Sequence, residues 1–358
     1  MDREKKKRKL SKKAKILIVI ILLLIISTLF ALLIFNKGKG SNDKKKTSTT
    51  TTTTKKEEPI KIVDVNSNSR PFAVMINNNK AVWGYQAGLQ DAYITYEMIV
   101  EGGITRLMAL FKDKNVSRIA SVRSSRHYYL DYALENDAIY AHIGWSPQAQ
   151  SDISSLGVNA INADNSSAFI WDNSLRRIAR EHRAYTSTEM LKNAAQKRKY
   201  RTTTENGLLL KYQAEPLELS TYEGALNANN IKIPYSTSHV TSFVYNPETK
   251  LYTRYQNNTE HKDYVTGLAY TAKNIITYKV SNYDLNDGSG KGRQGLNNIG
   301  SGEGYYISEG YAIPITWEKN SRNSKTVYKV KSTGKDLVVN DGNTFIEIEP
   351  AHQNLVIE

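Results

Sequence analysis

The chain of 358 residues contains no cysteine. Disulfide bonds and thiolate metal sites are therefore excluded, and the stability of the folded part has to come from packing. Its six histidines show no H-x-x-x-H spacing, so we expect no bound metal. The glycine-rich segment Gly288–Gly292 lacks the Ser or Thr and the strand–loop–helix setting of a phosphate-binding loop, so we expect no nucleotide cofactor either.

Little of the net positive charge lies in the folded part of the chain. The formal net charge is +14, but residues 1–61 hold 17 Lys and Arg against 5 Asp and Glu, which leaves 32 against 30 for residues 62–358. Nucleic-acid binding calls for a basic patch on the folded part, so we expect no nucleic-acid partner.

A charge-free apolar segment follows the strongly basic residues 1–15. Ile16–Phe35 is twenty residues long, which is enough for a helix to cross a bilayer. The basic flank favours a cytoplasmic N-terminus by the positive-inside rule. We therefore predict a single-pass protein of the cell membrane with extracytoplasmic C-terminal domains. Residues 36–61, rich in Lys and Thr, are expected to be a disordered tether.

The residues beyond the tether are numerous enough for two domains. Residues 62–200 predict an α/β lobe, with a mixed sheet that contains a β-hairpin and strand–helix units. Residues 240–358 read as successive hairpins and predict an antiparallel all-β lobe. Residues 201–239 are expected to connect the two.

The pair Gly102-Gly103 lies between two apolar, β-branched runs, which is typical of a two-residue hairpin turn. With both glycines at the centre of the turn, Glu97 would face Met108. Glu97, Glu101 and Arg106 would then share one face of the hairpin. In that arrangement Arg106 keeps one glutamate charged while the other carries a proton. The alternative is a surface salt bridge of little energetic value.

Two strand–helix units follow the hairpin. Ser117–Val122 and Ala138–His142 predict strands; Ser124 or Ser125 would cap the first helix, which would end near Glu135. Ser146 before Pro147 predicts the start of a second helix, over residues 147–155. A right-handed crossover would make the two strands parallel.

The loops that leave parallel strands open on the same edge of a sheet, where ligands bind. These two loops carry Arg123, Ser124, Ser125 and Arg126, and His142, Gly144, Trp145 and Ser146. Two arginines beside a helix start favour anion binding, with ion pairing to nearby acids as the alternative. His142 is either catalytic or a hydrogen-bonded core histidine, and His182 either reaches this crevice or braces a loop.

Several long motifs, in order, resemble the YerB-type lipoprotein family of Gram-positive bacteria. They are PFAVMINN, YEMIVEGGITR, VRSSRHYYLDYALENDAIYAHIGWSPQA and HRAYTS. The resemblance implies an envelope-attached extracytoplasmic protein of two domains, the first mixed α/β, and it implies no settled activity. This chain has no lipobox cysteine, so a transmembrane helix would replace the lipid anchor, and His182-Arg183 stands where the family often has His-Asn.

We expect a membrane-anchored cell-envelope protein that binds, and in the enzymatic interpretation cleaves, an anionic cell-wall glycan such as peptidoglycan. Glu101 (or Glu97) would be the acid/base, and Arg106, Arg123 and Arg126 would hold anionic groups. The alternative is a non-catalytic binding or scaffolding module that uses the same crevice. A third candidate, a transferase for a phosphoryl-linked polymer, would also need acidic metal ligands that the sequence does not place.

Overall fold

The computed structural model describes residues 59–163 and 167–358. The predicted basic segment, the transmembrane helix Ile16–Phe35 and all but the end of the tether lie outside these residues. Within them, no helix has the length and apolar character needed to cross a bilayer.

The described chain is rich in strands and has three α-helices. The helices are α1 (His127–Glu135), α2 (Pro147–Ser155) and α3 (Thr188–Lys197). The strands are β1 (Phe72–Asn77), β2 (Ile94–Ile99), β3 (Thr105–Phe111), β4 (Ile119–Ala120), β5 (Ile139–His142), β6 (Ala160–Asn162), β7 (Ile170–Trp171), β8 (Ala184–Thr186), β9 (Lys211–Gln213), β10 (Leu226–Asn227), β11 (Asn230–Ser236), β12 (His239–Asn246), β13 (Leu251–Gln256), β14 (Thr259–Glu260), β15 (Thr271–Ala272), β16 (Asn274–Val280), β17 (Asn282–Asp284), β18 (Gln294–Leu296), β19 (Gly300–Ser308), β20 (Tyr311–Lys319), β21 (Val327–Val330), β22 (Val338–Asn340), β23 (Thr344–Pro350) and β24 (Val356–Ile357).

A mixed sheet of 11 strands, the central sheet, runs through both lobes. Its order is β10-β20-β19-β16-β23-β2-β3-β1-β5-β6, with β21 paired to β20. Strand β23, close to the C-terminus, lies between β2 and β16 and is parallel to both. The expectation of a mixed-sheet lobe and a mostly antiparallel β region is confirmed, but the second lobe is not purely antiparallel, because β16 and β23 run in the same direction.

A second sheet of 6 strands, the small sheet, is made by the C-terminal half. Its order is β14-β13-β12-β11-β24, with β15 paired to β13. The hairpin of β12 and β13 forms where the sequence predicts it, with Phe243 opposite Arg254. Phe243 packs edge-on against Phe345 of the central sheet, with ring centroids 5.6 Å apart. The two sheets therefore enclose a common interior.

The Gly-Gly hairpin forms, but its register differs by one residue from the prediction. The amide of Val100 donates to the carbonyl of Ile104 at 2.7 Å, so the turn has three residues, Glu101–Gly103, instead of two. Glu97 consequently pairs with Leu107 and Met98 with Arg106. Because adjacent strand residues point to opposite faces, Glu97 and Arg106 lie on opposite faces of the central sheet, and the predicted shared face is wrong.

The strand–helix units are partly as predicted. Strands β5 and β6 are parallel and joined through α2, which begins as expected after Ser146, whose hydroxyl accepts from the amide of Ala149. Strand β4, by contrast, has two residues and lies outside the central sheet, paired with β8. Helix α1 begins after Arg126, without a side-chain cap, so the prediction of a serine cap there is wrong.

Candidate functional site

The two predicted loops meet at the end of β5. The amide of Ser125 donates to the carbonyl of Gly144 at 3.0 Å, and the amide of Ser146 donates back to Ser125 at 3.3 Å. Gly144 has φ 74°, and a Cβ there would lie 3.2 Å from the hydroxyl oxygen of Ser124. Glycine therefore permits both the turn and the close approach of the two loops.

Glu101 reaches this crevice from the hairpin turn. Its carboxylate accepts from Nη2 of Arg106 at 2.9 Å and from Nε of Arg126 at 2.8 Å, and Nη2 of Arg126 makes a further contact. Nη1 of Arg106 donates to the carbonyl of Ser124 at 2.7 Å, and Nη1 of Arg126 to that of Ser125 at 2.6 Å. One carboxylate thus bridges two buried arginines. Of the two predicted contacts of Arg106, the one with Glu101 forms and the one with Glu97 does not.

The charges in this cluster set its protonation. Burial raises the pKa of Glu101, but the hydrogen bond from Arg126 and the charges of Arg106 and Arg126 outweigh burial and hold the pKa at about 2. Burial, followed by the like charge of Arg126, lowers the pKa of Arg106 to about 10. Near neutral pH the Glu101 carboxylate and the Arg106 guanidinium are therefore charged, and Glu101 carries no proton to donate.

Arg123 lies at the outer side of the cluster and is half-buried. Its Nη1 donates to the carbonyl of Glu181 at 3.4 Å, and its charge acts on Arg106 and Glu101. Burial, opposed by Glu181 and reinforced by Arg126, lowers its pKa. Three arginines therefore surround one carboxylate, and this crevice has a local excess of positive charge.

The two histidines predicted as site residues, His142 and His182, both contact neighbouring side chains or backbone. His142 is fully buried, its Nδ1 lies 2.8 Å from the carbonyl of Gly144, and its ring packs 5.5 Å from that of Trp145. Nδ1 of His182 accepts from the side-chain amide Nδ2 of Asn77 at 2.8 Å. These contacts orient the loop after β5 and the loop before β8, which agrees with the core and bracing alternatives.

Glu97 belongs to a different place, a fully buried polar cluster between the two sheets. Its carboxylate pairs with Nη2 of Arg254 and accepts from Thr105 at 2.6 Å. Burial raises the pKa of Glu97, but the charge of Arg254 and the hydrogen bond from His239 lower it overall. This cluster braces the sheets against each other, and it separates Glu97 from the crevice.

The sequence does not predict the other members of this buried cluster. Arg254 occupies an inward position of β13, where the burial pattern alternates strictly. An arginine in an inward position of a strand signals a buried acid opposite, but the sequence does not say which one. The remaining members connect through hydrogen bonds to Arg254 or Glu97 and are Asn78, Thr241, His239 and His261.

The described part of the chain contains no cluster of candidate metal ligands. Within residues 59–163 and 167–358, no three His, Asp or Glu side chains come together in a way that would hold a metal ion. The acidic ligands that a phosphoryl-transfer site would need are therefore not found in this part of the chain.

The two halves of the chain match the two domain models of one family. Residues 59–201 match the N-terminal domain of a protein family of unknown function, DUF3048, and residues 231–346 match its C-terminal domain.

Similar proteins share both sequence and fold with the chain. It is 29% identical over 286 residues to the "Putative lipoprotein YerB" of Bacillus subtilis strain 168, covering 78% of this chain and 81% of that protein. The crystal structure of the YerB protein from Bacillus subtilis matches with a TM-score of 0.70 at 27% identity and covers 85% of this chain and 100% of that chain.

Proposed function

The chain belongs to the DUF3048 family, the YerB-type family that its motifs resemble, and from this premise we propose that it is an envelope protein that binds an anionic cell-wall glycan in the arginine crevice. The relative's description as a lipoprotein supports attachment to the outer face of the membrane. Here the apolar segment Ile16–Phe35 would provide the anchor and residues 36–61 the tether.

One observation carries the proposal: two arginines share a single carboxylate at the start of α1, and a third arginine lies beside them. Arg106 and Arg126 share Glu101, and Arg123 lies beside them. Guanidinium groups bind carboxylates and phosphates through paired hydrogen bonds, and helix N-termini favour negative charge. In this proposal Glu101 is an internal counter-ion. Its carboxylate lies on the guanidinium groups that would otherwise bind the anionic group of a ligand.

Binding is better supported than cleavage. A general acid has to be protonated near the working pH, whereas the pKa of Glu101 is held at about 2. A carboxylate of such low basicity is also a weak general base. We therefore favour the non-catalytic binding module over a glycan-cleaving enzyme with Glu101 as acid/base.

The test is co-sedimentation of residues 57–358, which form one compact unit, with purified Gram-positive cell walls. Walls would be used before and after phosphate-linked polymers are removed with hydrofluoric acid, to tell phosphate from carboxylate ligands. We expect retention on at least one of the two preparations. Arg123→Gln should weaken it about tenfold, since a charge-assisted pair contributes roughly 1.5 kcal/mol. Lys331→Gln removes the same charge from a distant exposed pair and should leave retention unchanged.

Glu101→Gln separates the two functions. If Glu101 is a counter-ion, its removal frees the arginines and strengthens retention, while the soluble fraction contains no released fragments by mass spectrometry. Fragments that wild type releases and Glu101→Gln does not would instead establish cleavage. Equal retention of wild type and Arg123→Gln on both wall preparations would rule out the crevice as the binding site.

A further inference from the structure

The arginine crevice continues into an exposed basic loop. Residues 173–181 follow β7 and present Arg176, Arg177 and Arg180 to solvent. The hydrogen bond from Arg123 to the carbonyl of Glu181 connects this loop directly to the crevice.

Aromatic side chains accompany these arginines. The guanidinium of Arg180 lies 4.7 Å from the ring centre of Trp171. That of Arg118 lies 4.1 Å from the ring centre of Tyr185 and 5.4 Å from that of Tyr264. Each contact orients a planar cation beside a ring, so the surface alternates cationic and aromatic groups.

These contacts link the side chains into one connected series. Arg118 also pairs with Asp172 at 2.6 Å, next to Trp171, and the ring of Tyr264 lies 5.8 Å from that of Tyr85. We name this surface, from the crevice to Tyr85, the arginine–aromatic track. Its members are Arg106, Arg126, Arg123, Arg176, Arg177, Arg180, Arg183, Trp171, Tyr185, Arg118, Tyr264 and Tyr85, with the acids Glu101, Glu181 and Asp172.

Charge distinguishes the track from the rest of the folded chain, and most of its arginines are accessible. Arg106 and Arg126 are buried, and the other six arginines are exposed or half-buried. The eight arginines accompany three carboxylates, whereas residues 62–358 as a whole are nearly balanced. Tyr264 is 40% exposed, and its neighbours Val265 and Leu268 are 60% and 70% exposed. A surface of this kind is complementary to a ligand with repeated negative charges and flat apolar faces.

We propose that the track binds an extended glycan chain with an anionic group on successive repeats, with arginines pairing with the anions and aromatic rings stacking on the sugars. This inference rests on the proposed function and extends it from one anionic group to a polymer. The crevice would hold one repeat. The loop after β7 and the surface around Tyr185 and Tyr264 would hold the repeats that follow. Affinity should therefore grow with chain length, because each added repeat is held intramolecularly.

The test uses residues 57–358 and two series of probes of increasing length, hyaluronan oligosaccharides for carboxylate and teichoic acid fractions for phosphate. Titration calorimetry at fixed salt should show at least a tenfold gain in affinity from the shortest to the longest member of one series. The double variant Arg176→Gln with Arg180→Gln should lose that gain and keep the affinity for the shortest probe. Its control, Lys211→Gln with Lys331→Gln, removes the same charge at exposed sites elsewhere and should keep the gain.

A third variant tests the aromatic part. Tyr264→Ser leaves the charge unchanged and should lower the affinity for the longest probe severalfold without affecting the affinity for the shortest.

Binding that is independent of probe length, or a gain in affinity that survives the double arginine variant, would overturn the track while leaving the crevice intact. Displacement of the glycan by an oligonucleotide of equal charge at equal concentration would show an unselective polyanion surface and overturn the glycan assignment. Absence of binding to every probe would instead count against the proposed function.

Discussion

Arg254 shows how a single buried charge is tolerated. It is completely inaccessible to solvent, and it is held by the carboxylate of Glu97 and by contacts with His261 and Thr241. Removing one partner of such a pair is costly, because the other charge is left without compensation.

We therefore expect Arg254→Met to destabilise the folded state by about 3–5 kcal/mol, measured by urea unfolding. Adding Glu97→Gln should recover part of this loss, because the second change removes the stranded charge. Lys331→Met, which breaks an exposed pair with Glu303, should cost under about 1 kcal/mol. A loss for Arg254→Met as small as that of Lys331→Met would mean that the buried pair contributes no net stability.

Glu349 is a second buried carboxyl group with a pH-dependent effect. Burial raises its pKa to about 7, against a weaker opposing hydrogen bond from Thr277. The pKa is higher in the folded state than in the unfolded chain, so the stabilising contribution of its proton is complete below the unfolded value of 4.5 and is lost as the pH rises through about 7.

Glu349→Gln removes this titration. As the pH rises from below 4.5 to above 7, wild type should lose up to about 3 kcal/mol of its free energy of unfolding through Glu349, and the variant should not lose this contribution. Glu303→Gln, at an exposed carboxyl group, should show no such change relative to wild type across this interval. Parallel pH profiles for wild type and Glu349→Gln would show that Glu349 titrates normally.

At the level of single elements, helix α3 begins with a serine cap. Ser187 is the N-cap, and its hydroxyl oxygen accepts from the amide of Met190 at 3.1 Å. Ser187→Ala should lower the free energy of unfolding by about 1 kcal/mol, whereas Ser187→Gly should cost only a few tenths. Urea unfolding of both variants provides the measurement, and equal losses would indicate that packing around Ser187 is responsible and not the cap.

The Gly-Gly hairpin shows which structural details a sequence determines and which it does not. Apolar β-branched runs around two glycines predicted both strands, but two- and three-residue turns both accept glycine at positive φ, which is 69° at Gly102 and 71° at Gly103. An alternation of apolar and polar residues would distinguish the two turn lengths, but here it is weak because both faces of the central sheet are buried at β2 and β3. Glu101 lies beside the turn in the predicted register and in the turn in the observed one, so it reaches Arg106 in both, whereas Glu97 changes faces.

The contact between the two loops was predicted from two parallel strands, and only one of these strands lies where that reasoning requires. Ser146-Pro147 placed the end of β5 and the start of α2 correctly, whereas β4 lies outside the central sheet and pairs with β8. The buried cluster around Arg254 could not be predicted, because Glu97 and Arg254 are 157 residues apart and only the packing of two sheets brings them together.

At the scale of the whole molecule, strand β23 joins the two halves of the chain. It pairs with β2 from Ile94↔Thr344 to Met98↔Ile348, and on its other side it pairs with β16. Every residue of β23 is buried. Without it, β2 would expose an unpaired edge and the polar cluster around Glu97 would lose the strand beside it.

Residues 57–358 should therefore unfold in one transition, despite matching two family domains. We expect coincident urea curves from Trp317 fluorescence, which reports on the second half, and from Trp145, which reports on the first. Single-tryptophan variants would provide these two signals. Ile346→Ala, a truncation of a fully buried side chain in β23, should lower both midpoints equally. Residues 59–201 alone should give no cooperative transition, because β2 depends on β23, and a sharp independent transition of that fragment would show that the first half folds without it.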